Sequence, residues 1–267
     1  MRSRIFSVVF LFFAATLART AAPDPADLLQ QAHAVVAKRG DYKKAIGLLQ
    51  KANANWKKNG AQSREYAESL TFLASLYLAE DRRNGAEVGI GKDNDVIYSQ
   101  WKAQSSEVLS EAVRVSRGVS TAEPENLALA LELQSLMAGG KEDGREAWKE
   151  ATAIRSRRVS EILPAPALRA EARAIGTGDA VAPILLKKVE PLYSAEAQTL
   201  QTTGVVHLSV VVEPDGTPSS AQLIEGIGFG LDEQAAKAVK EWRFNPGTKD
   251  GHSVRVRARV EVAFKLM

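Results

Sequence analysis

The sharpest pattern in this chain lies near its end, where Val254, Val256, Ala258, Val260, Val262 and Phe264 alternate with Arg255, Arg257, Arg259, Glu261 and Lys265. A period of two buries one face of a strand and wets the other. Upstream, Val206, Leu208, Val210 and Val212 alternate with His207 and Ser209, and Pro214-Asp215-Gly216 turns into a weaker second strand carrying Ala221 and Leu223. Between this pair and the last strand the period changes. Leu231, Ala235, Ala238, Val239 and Trp242 recur at helical spacing, with Asp232 and Glu233 at the front and Lys240 and Arg243 at the back, where the helix dipole favours each sign. Asn245-Pro246-Gly247 is read as its end. If the first two strands form a hairpin and the helix crosses over, the sheet order is second, first, last. One edge then carries Pro218, whereas the last strand has neither Pro nor Gly and can accept an extended peptide by strand addition.

The pieces also carry a resemblance. Val189-Glu190-Pro191-Leu192-Tyr193-Ser194, Gly204-Val205-Val206, Val212-Glu213-Pro214-Asp215-Gly216, Gly230-Leu231-Asp232 and Trp242-Arg243-Phe244-Asn245-Pro246-Gly247 stand in one order ahead of the terminal strand. Together they resemble the C-terminal domain of the TonB energy-transducer family over residues 189–267. The family usually has Tyr-Pro where this chain has Tyr193-Ser194, at the entry to a short helix expected over 194–200. The resemblance implies an α+β domain over 184–267, a three-stranded antiparallel sheet packed on a helix, without catalytic function. It also implies a partner, a segment of an outer-membrane TonB-dependent receptor, and a role in energy transduction and transport at the outer membrane. The partner-binding residues expected on the last strand are Val254, Arg255, Val256, Arg257, Ala258, Arg259 and Val260. Their arginines either guard the edge against aggregation or meet an acidic partner. The same edge in a second copy offers the other use, a homodimer.

From 24 to 163 the pattern is helical and rich in alanine. Leu29, Ala32 and Val36, then Gly40-Asp41-Tyr42, then Ala45, Leu49 and Ala52 describe two helices and a tight turn, and resemble the tetratricopeptide repeat. His33 stands where that pattern prefers a small residue. Leu70, Leu73, Ala74 and Tyr77, followed by Leu109 and Ala112, describe a second pair around an insertion at 82–95 with Gly85, Gly89 and Gly91. The insertion lacks the Gly-Lys-Ser/Thr of a phosphate loop and the closing Glu of a calcium loop, so it reads as a surface loop. A third pair over 124–137 and 142–163 is expected to cap an all-α repeat domain able to hold a second protein. Pro164-Ala165-Pro166 then opens a linker over 164–183. Fully extended, it reaches about 60 Å.

Arg2 and Arg4 precede an apolar run from Ile5 to Leu17 that spans about 20 Å as a helix, short of the roughly 30 Å of a bilayer core. Residues 1–18 therefore read as a signal peptide and the protein as exported and periplasmic; left uncleaved, the segment would be an inner-membrane anchor. The chain has no cysteine, which removes disulfides, thiolate metal sites and thiol nucleophiles. His33, His207 and His252 stand alone in their segments, and no metal or cofactor site is expected. The net charge of +3 is small, and Arg155, Arg157 and Arg158 read as a solvated helix end or an attraction to anionic lipid. No aromatic-basic platform accompanies them, so nucleic acid is not an expected partner.

Overall fold

The computed structural model describes residues 23–83, 102–119, 124–165 and 180–266. The expected signal segment and most of the insertion and linker lie outside the described residues. Six helices come first: α1 (Pro25–Arg39), α2 (Tyr42–Lys58), α3 (Arg64–Arg83), α4 (Lys102–Gly118), α5 (Glu125–Ala138) and α6 (Glu142–Ile162). Local chemistry sets their ends. Gly40 closes α1 in the left-handed region at φ +57°, and the Asp41 carboxylate opens α2 by accepting from Lys44 N at 3.0 Å. Ala32, Ala45 and Ala52 are fully buried where the first pair meets. His33 uses its departure from a small residue to stack on Phe72 of α3, with ring centroids 4.3 Å apart, and to meet Glu68 Oε1 at 3.0 Å.

The C-terminal part contains β1 (Ile184–Lys187), α7 (Ala195–Thr199), β2 (Gly204–Val212), β3 (Pro218–Glu225), α8 (Leu231–Lys240), β4 (Arg243–Asn245), β5 (Thr248–Lys249), β6 (His252–Ser253) and β7 (Val256–Phe264). The main sheet is antiparallel with order β3-β2-β7, the order the sequence implies. Val206, Leu208, Val210 and Val212 are fully buried on one face, together with Val256, Val260, Val262 and Phe264 from β7. α8 covers that face with Leu231, Ala235 and Val239. Ser194 does at α7 what the family's proline does not: its hydroxyl accepts from Ala197 N at 3.1 Å and donates to Phe229 O at 2.5 Å.

Two sequence expectations change. The crossover helix ends at Lys240, not at Asn245, because Arg243–Asn245 leaves as β4 to pair with β1. Trp242 still reaches the core and donates from Nε1 to Val189 O at 2.8 Å. The third helical pair is no polar cap, since α5 is buried from Ala128 through Leu133. Its outer side is covered by the C-terminal part, and one apolar core runs through Leu129, Leu133, Val159, Leu200, Phe229 and Leu231.

Candidate partner-binding edge

A three-stranded sheet has two edges, and here they differ. Along β3, Ala221 N donates to Leu163 O at 2.9 Å and Ser220 N donates to Pro164 O at 3.2 Å. The residues that follow α6 thus cover the middle of that edge, with Ser160 Oγ 3.4 Å from Ala221 O. Among the described residues, no strand pairs with the far side of β7. Its nine residues are held on one side only, from Gly204↔Phe264 to Val212↔Val256. An edge of this kind presents a row of backbone donors and acceptors to water or to another chain.

The seven residues expected to bind a partner do not form one row. Val254 and Arg255 precede the strand: Val254 N donates to Gly247 O at 2.9 Å, and Arg255 Nε donates to Glu213 Oε2 at 2.7 Å. Val256 and Val260 are buried on the core face and Ala258 is half-buried beside them. On the open face Arg257 reaches back across the sheet to Ser209 Oγ at 3.1 Å. Arg259 is exposed opposite Ser209. Glu261 follows on the same face, 3.5 Å from Nδ1 of His207, whose Nε2 lies 3.9 Å from Glu225.

What fixes this edge in space is a buried charge cluster that the sequence reading missed. Arg155 on α6 donates from Nε to Glu132 Oε1 at 2.8 Å, from Nη2 to Glu132 Oε2 at 2.9 Å, and from Nη1 to Glu233 Oε1 of α8 at 3.1 Å. Glu132 Oε2 also accepts from Phe229 N at 2.8 Å. All three side chains are buried. Burial by itself disfavours the charged guanidinium, but the two carboxylates outweigh it and raise the Arg155 pKa. The reading of Arg155 as solvated or lipid-facing is therefore overturned: it follows Ala147 and Ala151 and precedes Val159 at intervals of four, on the inward stripe of α6. Arg158, one turn on, pairs with Glu125 at 2.6 Å.

Asp232 and Glu233 sit in the first turn of α8, as the charge pattern implies, and both are buried. Burial is the largest cause lifting the Asp232 pKa to about 6, with Glu233 and Glu132 adding to it, while hydrogen bonding from Ile227 N and the Arg155 charge oppose. Gly228, between them, has φ +73°, and a Cβ there would lie 2.8 Å from Glu132 Oε1. Among the described residues, no group of three or more His, Cys, Asp or Glu is placed to hold a metal ion. No helix among them is long and apolar enough to cross a membrane.

The open edge, the strand order and the helix beneath are one module, and this module is the part of the chain that resembles known proteins. Residues 189–266 match the family model of the Gram-negative bacterial TonB protein C-terminal. The matched stretch begins at Val189, whose carbonyl holds Trp242, and ends two residues after β7. The chain is 32% identical over 92 residues to Protein TonB of Vibrio cholerae, covering 32% of this chain and 38% of that protein. It is 33% identical over 81 residues to Protein TonB of Escherichia coli, covering 30% and 34% respectively. The chain thus spans little more than a third of the length of these curated relatives. A solution structure of the Pseudomonas aeruginosa TonB C-terminal domain aligns at 24% identity and a TM-score of 0.29, covering 36% of this chain and 96% of that one.

Proposed function

We propose that this is a non-enzymatic, exported protein of the cell envelope whose TonB C-terminal domain takes up an extended segment of a partner by strand addition to β7. The observation that carries the reading is the asymmetry of the sheet: Leu163 and Pro164 take up two amides in the middle of the β3 edge, and among the described residues no strand covers β7. Main-chain hydrogen bonds would supply affinity, and side chains along Val256–Phe264 would supply selection. The TonB match makes an outer-membrane TonB-dependent receptor the leading partner, with a role in energy transduction and transport. The helical part acts as a rigid mount for the edge through Arg155, and its surface away from α5 and α6 is where a second protein would sit.

Capture from a solubilised outer-membrane fraction tests this reading, with the full chain as bait and Val256→Pro as control, its fold checked by circular dichroism. Recovery of a membrane receptor by the native chain and its loss with the proline variant is the expected result. Equal recovery by both chains would rule out strand addition at β7.

A further inference from the structure

We infer that the outward face of the β1–β4 ribbon rests on an anionic phospholipid surface, with Ile184 and Leu186 set among the headgroups and Lys187 and Arg243 over their phosphates. Burial singles this ribbon out. Eight large apolar side chains are exposed among the described residues, and five of them, Val181, Ile184, Leu185, Leu186 and Leu192, lie within 181–192. β1 buries none of its four residues. Core packing therefore gives no reason for three consecutive apolar residues there, and an exposed apolar cluster rimmed by charge marks a contact surface.

The pairing fixes which side chains share that face. Leu185 is opposite Phe244, which is buried, so these two turn inward. Ile184 and Asn245 are cross-strand partners on the outward face, as are Lys187 and Arg243 beyond the bulge, and all four are exposed. Leu186, in the bulge, is 69% exposed. The ribbon is held from beneath by the bond from Trp242 Nε1 to Val189 O, and Val181 and Thr248 exchange both backbone hydrogen bonds, at 2.7 and 3.2 Å.

Charge chooses the occupant. The stretches 181–192 and 243–250 carry Lys187, Lys188, Arg243 and Lys249 against Glu190 and Asp250. Lys188 is paired with Glu190 at 2.8 Å, whereas Lys187 and Lys249 have no ion pair among the described residues. The buried core of a protein–protein contact is poor in lysine, because the strongly hydrated ammonium is costly to desolvate. A lipid surface takes the mixture readily: the lysine stems lie along the apolar side chains while their ammonium groups stay with the phosphates and water.

The chain has no cysteine, so Leu186→Cys can carry a single environment-sensitive fluorophore that reports this ribbon alone, whatever other segment of the full chain touches the vesicle. On vesicles of phosphatidylcholine with about one-third phosphatidylglycerol, its emission is expected to move to the blue and to be quenched by spin-labelled acyl chains. The same label on Lys51→Cys, at an exposed position of α2, is expected to stay aqueous. Lys187→Glu in the chain labelled at 186 should lower the lipid affinity by about fivefold or more, and salt at about 0.5 M should weaken it further. Both altered sites on β1 are exposed, and circular dichroism checks that the fold is kept. A label at 186 that stays aqueous on anionic vesicles would overturn the inference and leave this face to a protein partner. Equal insertion into pure phosphatidylcholine, indifference to Lys187→Glu, or an equal shift of the label at 51 would overturn it as well. β7 takes no part in these measurements, so receptor capture through that strand stands or falls separately.

Discussion

Arg155 Nη1 lies 3.1 Å from Glu233 Oε1, and this contact ties α6 of the helical part to α8, the crossover helix of the C-terminal part. The same guanidinium grips Glu132 with two bonds, so one cation answers two buried anions. Removing it while keeping its bulk, as in Arg155→Met, leaves both carboxylates without a counter-charge. The expected cost is about 3–5 kcal/mol of unfolding free energy, measured by urea denaturation. A loss under about 1 kcal/mol would mean that the cluster is solvated in solution.

Asp232 sets a pH dependence of definite sign. Its pKa is raised from 3.8 to about 6 by burial, next to Glu233, Glu132 and Arg155. Below the unfolded value both states are protonated and the group is neutral in its effect. As pH rises from about 4 to 6 the unfolded chain ionises first, so this group withdraws stability and the loss is complete above the folded value. Asp232→Asn keeps an acceptor for Ile227 N and removes the ionisation. The variant should gain up to about 3 kcal/mol relative to the native chain between pH 4 and pH 7.5. Parallel stability curves for the two proteins across that range would contradict the assignment.

Apolar periodicity made the sheet legible in advance, because every even position from Val206 to Val212 and the α8 stripe of Leu231, Ala235 and Val239 really is core. The same method reads a charged residue as exposed by default. That is why Arg155 reads as a solvated helix end, and why Asp232 and Glu233 read only as partners of the helix dipole. The signal that could have found Arg155 was its position on the Ala147, Ala151, Val159 stripe. No local pattern could find its partners, since Glu132 and Glu233 are 23 and 78 residues away in sequence. The short strands β1 and β4 were missed for a related reason: each exists only by pairing with the other. That Arg255 and Arg257 turn back onto the domain was likewise invisible, because their partners Glu213 and Ser209 are 42 and 48 residues away.

Gly216 offers a test of how tightly the β2–β3 turn is pressed onto β4. Its φ is +81°, and a Cβ there would lie 2.0 Å from Phe244 O, while Phe244 N donates to Gly216 O at 2.9 Å. Gly216→Ala must move backbone rather than a flexible side chain, on top of the left-handed strain. The expected loss is about 2 kcal/mol or more, seen as a lower thermal midpoint. The same change at Gly251 meets no atom within 4 Å, so it carries only the conformational cost of φ +79°.

Amide hydrogen exchange can separate the two sheet edges within one molecule. Ser220 N and Ala221 N donate to Pro164 O and Leu163 O, so their protection depends on the helical part staying docked. The β7 amides that bond β2 depend instead on the sheet itself. In the native chain at concentrations where it is monomeric, Ser220 and Ala221 should exchange slowly, and the outward amides of β7 fast. In Arg155→Met the docking contact is weakened while β2 and β7 remain paired. Ser220 and Ala221 should then lose protection by more than the inward amides of β7 do. Equal loss at both places would mean that the helical part and the sheet open as one cooperative unit, and that the closed edge is no separate latch.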